Sequence, residues 1–157
     1  MMAPIRPRIA TVVSVVWLYL GPPWLAIGLV GLYAGLAMGL LDFALDMSGA
    51  LGWFYLLTGV SGGLGLAGAL QLLQLRESGR KRLVAANWVA FANIVMFAFT
   101  AVATAVRAGA AFFLLPGLLC SLLSVPFAVM ARKLARPELV LALRDEAARQ
   151  SAGPRPG

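Results

Sequence analysis

Four long stretches of this chain carry no charged side chain: residues 9–41, 51–75, 83–106 and 110–130. A bilayer core of about 30 Å is crossed by a helix of roughly 20 mostly apolar residues, so each stretch is long enough to span one. In lipid every backbone N–H and C=O must bond within its own segment, which leaves helices as the form for runs of this kind. The sequence predicts an all-α protein, a four-helix transmembrane bundle occupying residues 1–131, followed by a basic, partly disordered tail over 132–157.

Composition supports this. Of the 157 residues, 61% are apolar and 12% are charged, and the mean hydropathy is +0.89. A soluble domain lacks the polar side chains to cover itself at that composition. One Cys and no His remove disulfide scaffolds and His-ligated metal centres from consideration.

The first run is longer than a span needs. Its roughly 33 residues would make a helix of about 50 Å, too short for two crossings and a turn. Gly21-Pro22-Pro23 interrupts it, and each Pro removes a donor and crowds the carbonyl one turn earlier. One long span kinked at Pro22-Pro23 is expected; the alternative is an interfacial helix over 9–20 followed by a span over 24–41. A cleaved signal peptide fits poorly, because a signal core has only about 7–15 apolar residues.

Charge position fixes the expected topology. The net charge is +7, and the basic residues lie in clusters between the apolar runs. Arg6 and Arg8 precede the first run; Arg76, Arg80, Lys81 and Arg82 separate the second and third. Arg132, Lys133, Arg136, Arg144, Arg149 and Arg155 follow the fourth. With four spans, every Lys and Arg except Arg107 falls on one side, while Asp42 and Asp46 join Arg107 on the other. Basic residues concentrate on cytoplasmic loops, so both termini are expected in the cytoplasm of a bacterial cell, the chain being a multi-pass plasma-membrane protein. Anionic lipid headgroups are the expected partner of Arg76, Arg80, Lys81, Arg82, Arg132 and Lys133. No basic stretch is interleaved with stacking aromatics, so nucleic acid is not an expected partner.

Glycine spacing is the clearest local pattern. Gly28, Gly31, Gly35 and Gly39 share one face of the first run, and Gly59, Gly62, Gly63, Gly65 and Gly68 crowd the second. Small residues spaced in this way let two helix backbones approach closely in lipid. Two uses remain open: association with a second copy or a membrane partner, and packing of the first span on the second.

Polar residues within the runs are candidate sites. Asn93, Thr100, Thr104 and Arg107 form a stripe on one face of the third run, readable as a solute path or as interhelical hydrogen bonding and Thr back-bonding. Asn87 and Trp88 lie near the start of that run; Trp24, Trp53 and Tyr55 are candidates for interface anchoring, with burial an alternative for Trp24. Gln71 and Gln74 fall near the headgroups. Asp42 and Asp46 are the one pair of carboxylates for cation binding or acid–base work, with solvated loop charge the plainer reading. Cys120 has no base nearby in sequence and reads as a small apolar side chain. Pro116 and Pro126 should bend the fourth span, with Ser121 and Ser124 satisfying freed carbonyls. In the tail, 137–149 is a candidate helix with Asp145 and Arg149 one turn apart.

Arg6-Pro7-Arg8 before a Gly-rich first span, Leu72-Leu73 leading into Gly79-Arg80-Lys81-Arg82, and a charged tail together resemble the small four-span membrane proteins of high-GC Gram-positive bacteria. In that group a Trp-Ala-Arg run follows the basic turn; here Trp88 comes later and the run is absent. The resemblance implies no activity. No catalytic, cofactor or metal constellation is legible, and a structural or accessory protein acting by helix packing is the expected function. A small-solute transporter or channel subunit is the alternative; a lipid-modifying enzyme ranks behind both for want of an acid, base and nucleophile set.

Overall fold

The computed structural model describes residues 8–38, 47–74, 76–107, 109 and 114–151. Among them the chain is entirely helical: α1 (Arg8–Ala37), α2 (Met47–Leu73), α3 (Glu77–Arg107), α4 (Leu114–Leu134) and α5 (Pro137–Ser151). Among the described residues three helices are long and apolar enough to cross a membrane, namely α1, α2 over Leu51–Leu73, and α3. Gly39, Asp42 and Asp46 lie outside the described residues, as do the side chains of Pro116, Cys120 and Arg149.

Helix α1 runs unbroken through Pro22-Pro23 as a single helix. Both prolines are exposed, on the side away from the neighbouring helix. Gly21, beside them, is buried against Leu66 and Gly62, and a Cβ there would lie 3.1 Å from the Leu66 Cβ. The described helix ends at Ala37 rather than at residue 41.

The α2–α3 connection is shorter than the basic cluster suggests. The α3 helix begins at Glu77 instead of residue 83, so Arg80, Lys81 and Arg82 occupy helix rather than loop. Local charge explains this extension. The Glu77 carboxylate sits in the first turn, where the helix dipole favours an anion, and pairs at 3.8 Å with both Arg80 and Lys81, three and four residues on. Gly79 completes the turn: a Cβ there would overlap the Leu72 backbone and lie 2.7 Å from the Gln71 carbonyl carbon. At the far end of α3, Gly109 takes φ 64°, a left-handed value that glycine adopts without strain, and its N–H reaches the Val106 carbonyl at 3.3 Å.

Neighbouring helices pack antiparallel in chain order, α1 on α2, α2 on α3 and α3 on α4. On α1, Gly21 meets Leu66, Leu25 meets Gly62, Gly28 meets Gly59 and Gly31 meets Tyr55, so partners descend along α2 as α1 ascends. The α2–α3 pair follows the same rule through Leu72 with Gly79, Gly68 with Leu83 and Thr58 with Asn93. Helix α4 reaches α1 mainly through rings: Phe127 lies 6.0 Å from Trp17 and 5.4 Å from Trp24, centroid to centroid.

The apolar core gathers at the end that holds the α2–α3 turn. Ala10, Val13 and Trp17 of α1 meet Leu72, Leu83, Phe127 and Leu134 there, and α5 adds Leu139 and Leu143, one turn apart on its buried face. Residues 132–134 thus complete α4, and α5 over Pro137–Ser151 belongs to the packed core instead of trailing from it. Elsewhere the surface is apolar, with Tyr33 76%, Phe99 74% and Leu122 67% exposed. Surface of that kind is a hazard in water and ordinary against lipid tails.

Candidate functional site

The glycine face of α1 is occupied within the chain. The Gly28 position lies against the Gly59 backbone and the Tyr55 carbonyl, and an added Cβ would overlap Gly59 and come 2.8 Å from that carbonyl. Gly31 lies beneath the Tyr55 ring, and Gly35 is buried. The α2 wall is uneven: a Cβ on Gly59 would meet Gly28 Cα at 3.5 Å and one on Gly63 would meet Leu25 Cδ1 at 3.8 Å, whereas one on Gly62 would lie 2.5 Å from the Leu25 backbone nitrogen. Of the two uses open to these glycines, the structure displays the intramolecular one at Gly28, Gly31 and Gly59.

The stripe on α3 separates into unlike environments. Asn93 is 1% exposed, and its Nδ2 donates to Thr58 Oγ1 at 2.8 Å and to the Phe54 carbonyl at 3.3 Å. Thr58 Oγ1 in turn donates to that same carbonyl at 2.6 Å. Thr100 donates to the Met96 carbonyl of its own helix at 2.9 Å, Thr104 is half-buried, and Arg107 is exposed. Asn87, also buried, donates to the Leu83 carbonyl at 2.7 Å. In α4, Ser124 Oγ donates to the Ser121 carbonyl at 2.6 Å, next to the Leu122 carbonyl whose usual donor Pro126 lacks.

A cavity of about 240 Å³ opens beside Asn93, lined by Trp24, Ile27, Phe54, Thr58, Asn93, Ile94, Phe97 and Leu123. All four long helices contribute to it. Its walls are aromatic and aliphatic apart from Thr58 and Asn93.

The basic residues also divide. Arg80 turns inward, its side chain only 12% exposed, and donates from Nη1 to the Leu134 carbonyl at 3.2 Å, at the C-terminal end of α4. It therefore joins α3 to α4. Arg144 of α5 pairs with Glu77 at 3.3 Å. Arg76, Lys81, Arg82, Arg132 and Lys133 are exposed around the same end. A second cleft of about 370 Å³, lined by Ile9, Lys133, Arg136, Glu138, Leu139 and Ala142, lies between the start of α1 and the α4–α5 turn.

Two residues, Trp17 and Thr58, escape sequence reasoning. Trp17 is fully buried, its indole seated over Gly65 and edge-on to Trp24 at 6.1 Å. Trp24, for which burial is the alternative to interface anchoring, is half-buried in the same aromatic group. Thr58, the acceptor for Asn93, carried no signal beyond being a hydroxyl in an apolar run. Tyr55, an interface candidate, instead covers Gly31; Trp53 is 42% exposed. Among the described residues, no group of three or more His, Cys, Asp or Glu side chains comes together as a metal site.

No protein family, curated protein or solved structure matches this chain.

Proposed function

We propose that this chain is a four-span bacterial plasma-membrane protein with both termini cytoplasmic, serving as a structural or accessory protein that packs against a second copy or a membrane partner. α4 serves as the fourth span, since its 21 residues make a helix of about 32 Å. The exposed basic residues at the α2–α3 turn and the end of α4 lie at the inner leaflet, where anionic headgroups attract them. The small membrane proteins the sequence resembles carry no assigned activity, so the function rests on the geometry alone.

One observation carries the reading. The buried side-chain donors of α2 and α3 are spent on internal bonds, Asn93 Nδ2 on Thr58 and Thr100 Oγ1 on Met96, rather than aligned along a path. The Asn93–Thr58 bond joins two helices, and interhelical bonds of that kind contribute about 0.6 kcal/mol each on average. With Gly28 and Gly31 occupied by α2, a partner helix meets the faces that α1 and α4 turn outward, around Val30, Tyr33 and Leu122.

Native mass spectrometry from lipid nanodiscs tests this. A defined homo-oligomer or a stoichiometric membrane partner is expected; a lone monomer carrying only lipid would refute it. A small-solute transporter or channel subunit is the second reading, favoured by the cavity beside Asn93. Replacing Asn93 and Thr104 with Leu would abolish flux in that case, and unchanged flux in a folded double variant would exclude it.

A further inference from the structure

We propose that the cleft between the start of α1 and the α4–α5 turn holds the phosphodiester of one anionic phospholipid, with Lys133 and Arg136 on the phosphate and the acyl chains laid along α1. The proposal rests on the reading that this end of the bundle lies at the inner leaflet. The cleft measures about 370 Å³ and is lined by Ile9, Lys133, Arg136, Glu138, Leu139 and Ala142. At about 30 Å³ per water it has room for roughly a dozen water-sized groups, the scale of a glycerol phosphate. Arg80 reaches the Leu134 carbonyl at 3.2 Å, so the cleft stands level with the basic residues that open α3.

Two cations there are left over by the fold. Basic residues at a helix C-terminus often bond its last carbonyls. In α4 other donors do so: the Ala131 carbonyl accepts from the Ala135 N–H at 3.0 Å, that of Lys133 from the Arg136 N–H at 3.4 Å, and that of Leu134 from Arg80. Among the described residues the ion pairs converge on Glu77, from Arg80, Lys81 and Arg144. Lys133 and Arg136 enter none of them, and both are exposed. The Arg136 carbonyl accepts from the N–H groups of Leu139 and Val140, which fixes its backbone at the edge of the cleft. Set against Glu138, the two cations leave one positive charge on the walls. A phosphodiester carries one negative charge, whereas a phosphomonoester carries about 1.5 to 2.

Apolar surface decides between a lipid and a soluble anion. Ile9, Val12, Val16 and Tyr19 recur at helical spacing and so share one face of α1. Val12 is 59% and Tyr19 78% exposed, so an open track leads from Ile9 in the cleft toward the membrane. A cationic mouth joined to such a track fits an amphiphile; a soluble phosphate would leave the track bare.

Native mass spectrometry of the full chain in detergent, titrated with dioleoyl phosphatidylglycerol or dioleoyl phosphatidylcholine, tests this. One phosphatidylglycerol should bind at about tenfold lower concentration than the first phosphatidylcholine, whose ammonium cancels the charge the cations meet. Lys133→Gln/Arg136→Gln should weaken that binding about thirtyfold, since each basic residue near a headgroup contributes about 1 kcal/mol and about 1.4 kcal/mol is tenfold. Arg76→Gln/Arg82→Gln removes the same charge from exposed surface at the same end, and should leave binding within about threefold, the reach of a solvent-screened distant charge. Glycerol phosphate in large excess should not displace the lipid. Equal binding of the two lipids, equal losses in the two double variants, or displacement by glycerol phosphate would overturn the proposal. Binding in detergent reads the cleft alone, whereas labelling of a cysteine at Ala142 from outside the cell would overturn the topology and leave the cleft standing.

Discussion

Replacing Gly28 with Ala adds one methyl group where the α1 and α2 backbones approach closely. The new Cβ would overlap Gly59 and lie 2.8 Å from the Tyr55 carbonyl oxygen. That is at least about 0.7 Å inside the ~3.5 Å at which non-bonded heavy atoms rest. Both obstacles are backbone, so no side chain can rotate away and the helices must separate. A gap of 0.5–1 Å forfeits a quarter to a half of each contact well, itself about 0.1–0.2 kcal/mol. Spread over the few dozen atom pairs of the α1–α2 seam, the loss is about 2–3 kcal/mol, in line with the cost of overpacking. Gly59→Ala is the matched control: its methyl group meets Gly28 Cα at 3.5 Å, an ordinary contact, and should change stability by less than about 0.5 kcal/mol. Reversible unfolding in bicelles, followed by circular dichroism, measures both. Equal costs for the two variants, or a tolerated Gly28→Ala, would refute the register.

Further perturbations probe other contacts by the same assay. Gly62→Ala should be costly, since its Cβ would lie 2.5 Å from the Leu25 backbone nitrogen, whereas Gly63→Ala, 3.8 Å from Leu25 Cδ1, should be neutral. Arg80→Ala should destabilise by about 1.5–3 kcal/mol through loss of a charged bond to the Leu134 carbonyl, while Arg82→Ala at the exposed surface changes little. Trp17→Ala should cost about 3–5 kcal/mol, because the fully buried indole fills the space over Gly65 and touches Trp24 and Phe127. Thr58→Val removes the acceptor for Asn93 and should cost about 1 kcal/mol.

The helices were legible in the sequence because each apolar run is unbroken by charge; their faces were not. Helices α1 and α2 are apolar all round, so no stripe marks the side that turns inward. Glycine spacing announced close packing, yet the pairing of Gly28 with Gly59 depends on antiparallel register, which no local pattern encodes. The same holds for Asn93: its polarity was evident, but its partner Thr58 is set by where the α2–α3 turn falls. That turn was misplaced because a run of basic residues reads as loop, whereas Glu77 pairs with Arg80 and Lys81 and carries the helix back to the turn. Arg80 belongs with the headgroups on charge alone; only the position of the α4 terminus draws it inward. Trp17 gave no sign at all, being one large ring among many apolar neighbours, and its burial follows from the space that Gly65 leaves.

The central claim is a four-span chain whose α2–α3 turn and C-terminal helix share the cytoplasmic side. Cysteine accessibility tests it most directly. With Cys120 replaced by Ala, single cysteines at Ser78 of α3, Ala142 of α5 and Arg107 at the far end of α3, all exposed, are challenged with a membrane-impermeant maleimide. Intact cells should label only the Arg107 position, and inverted vesicles only the other two. Labelling of the Ser78 or Ala142 position from outside the cell would contradict the topology and the span count with it.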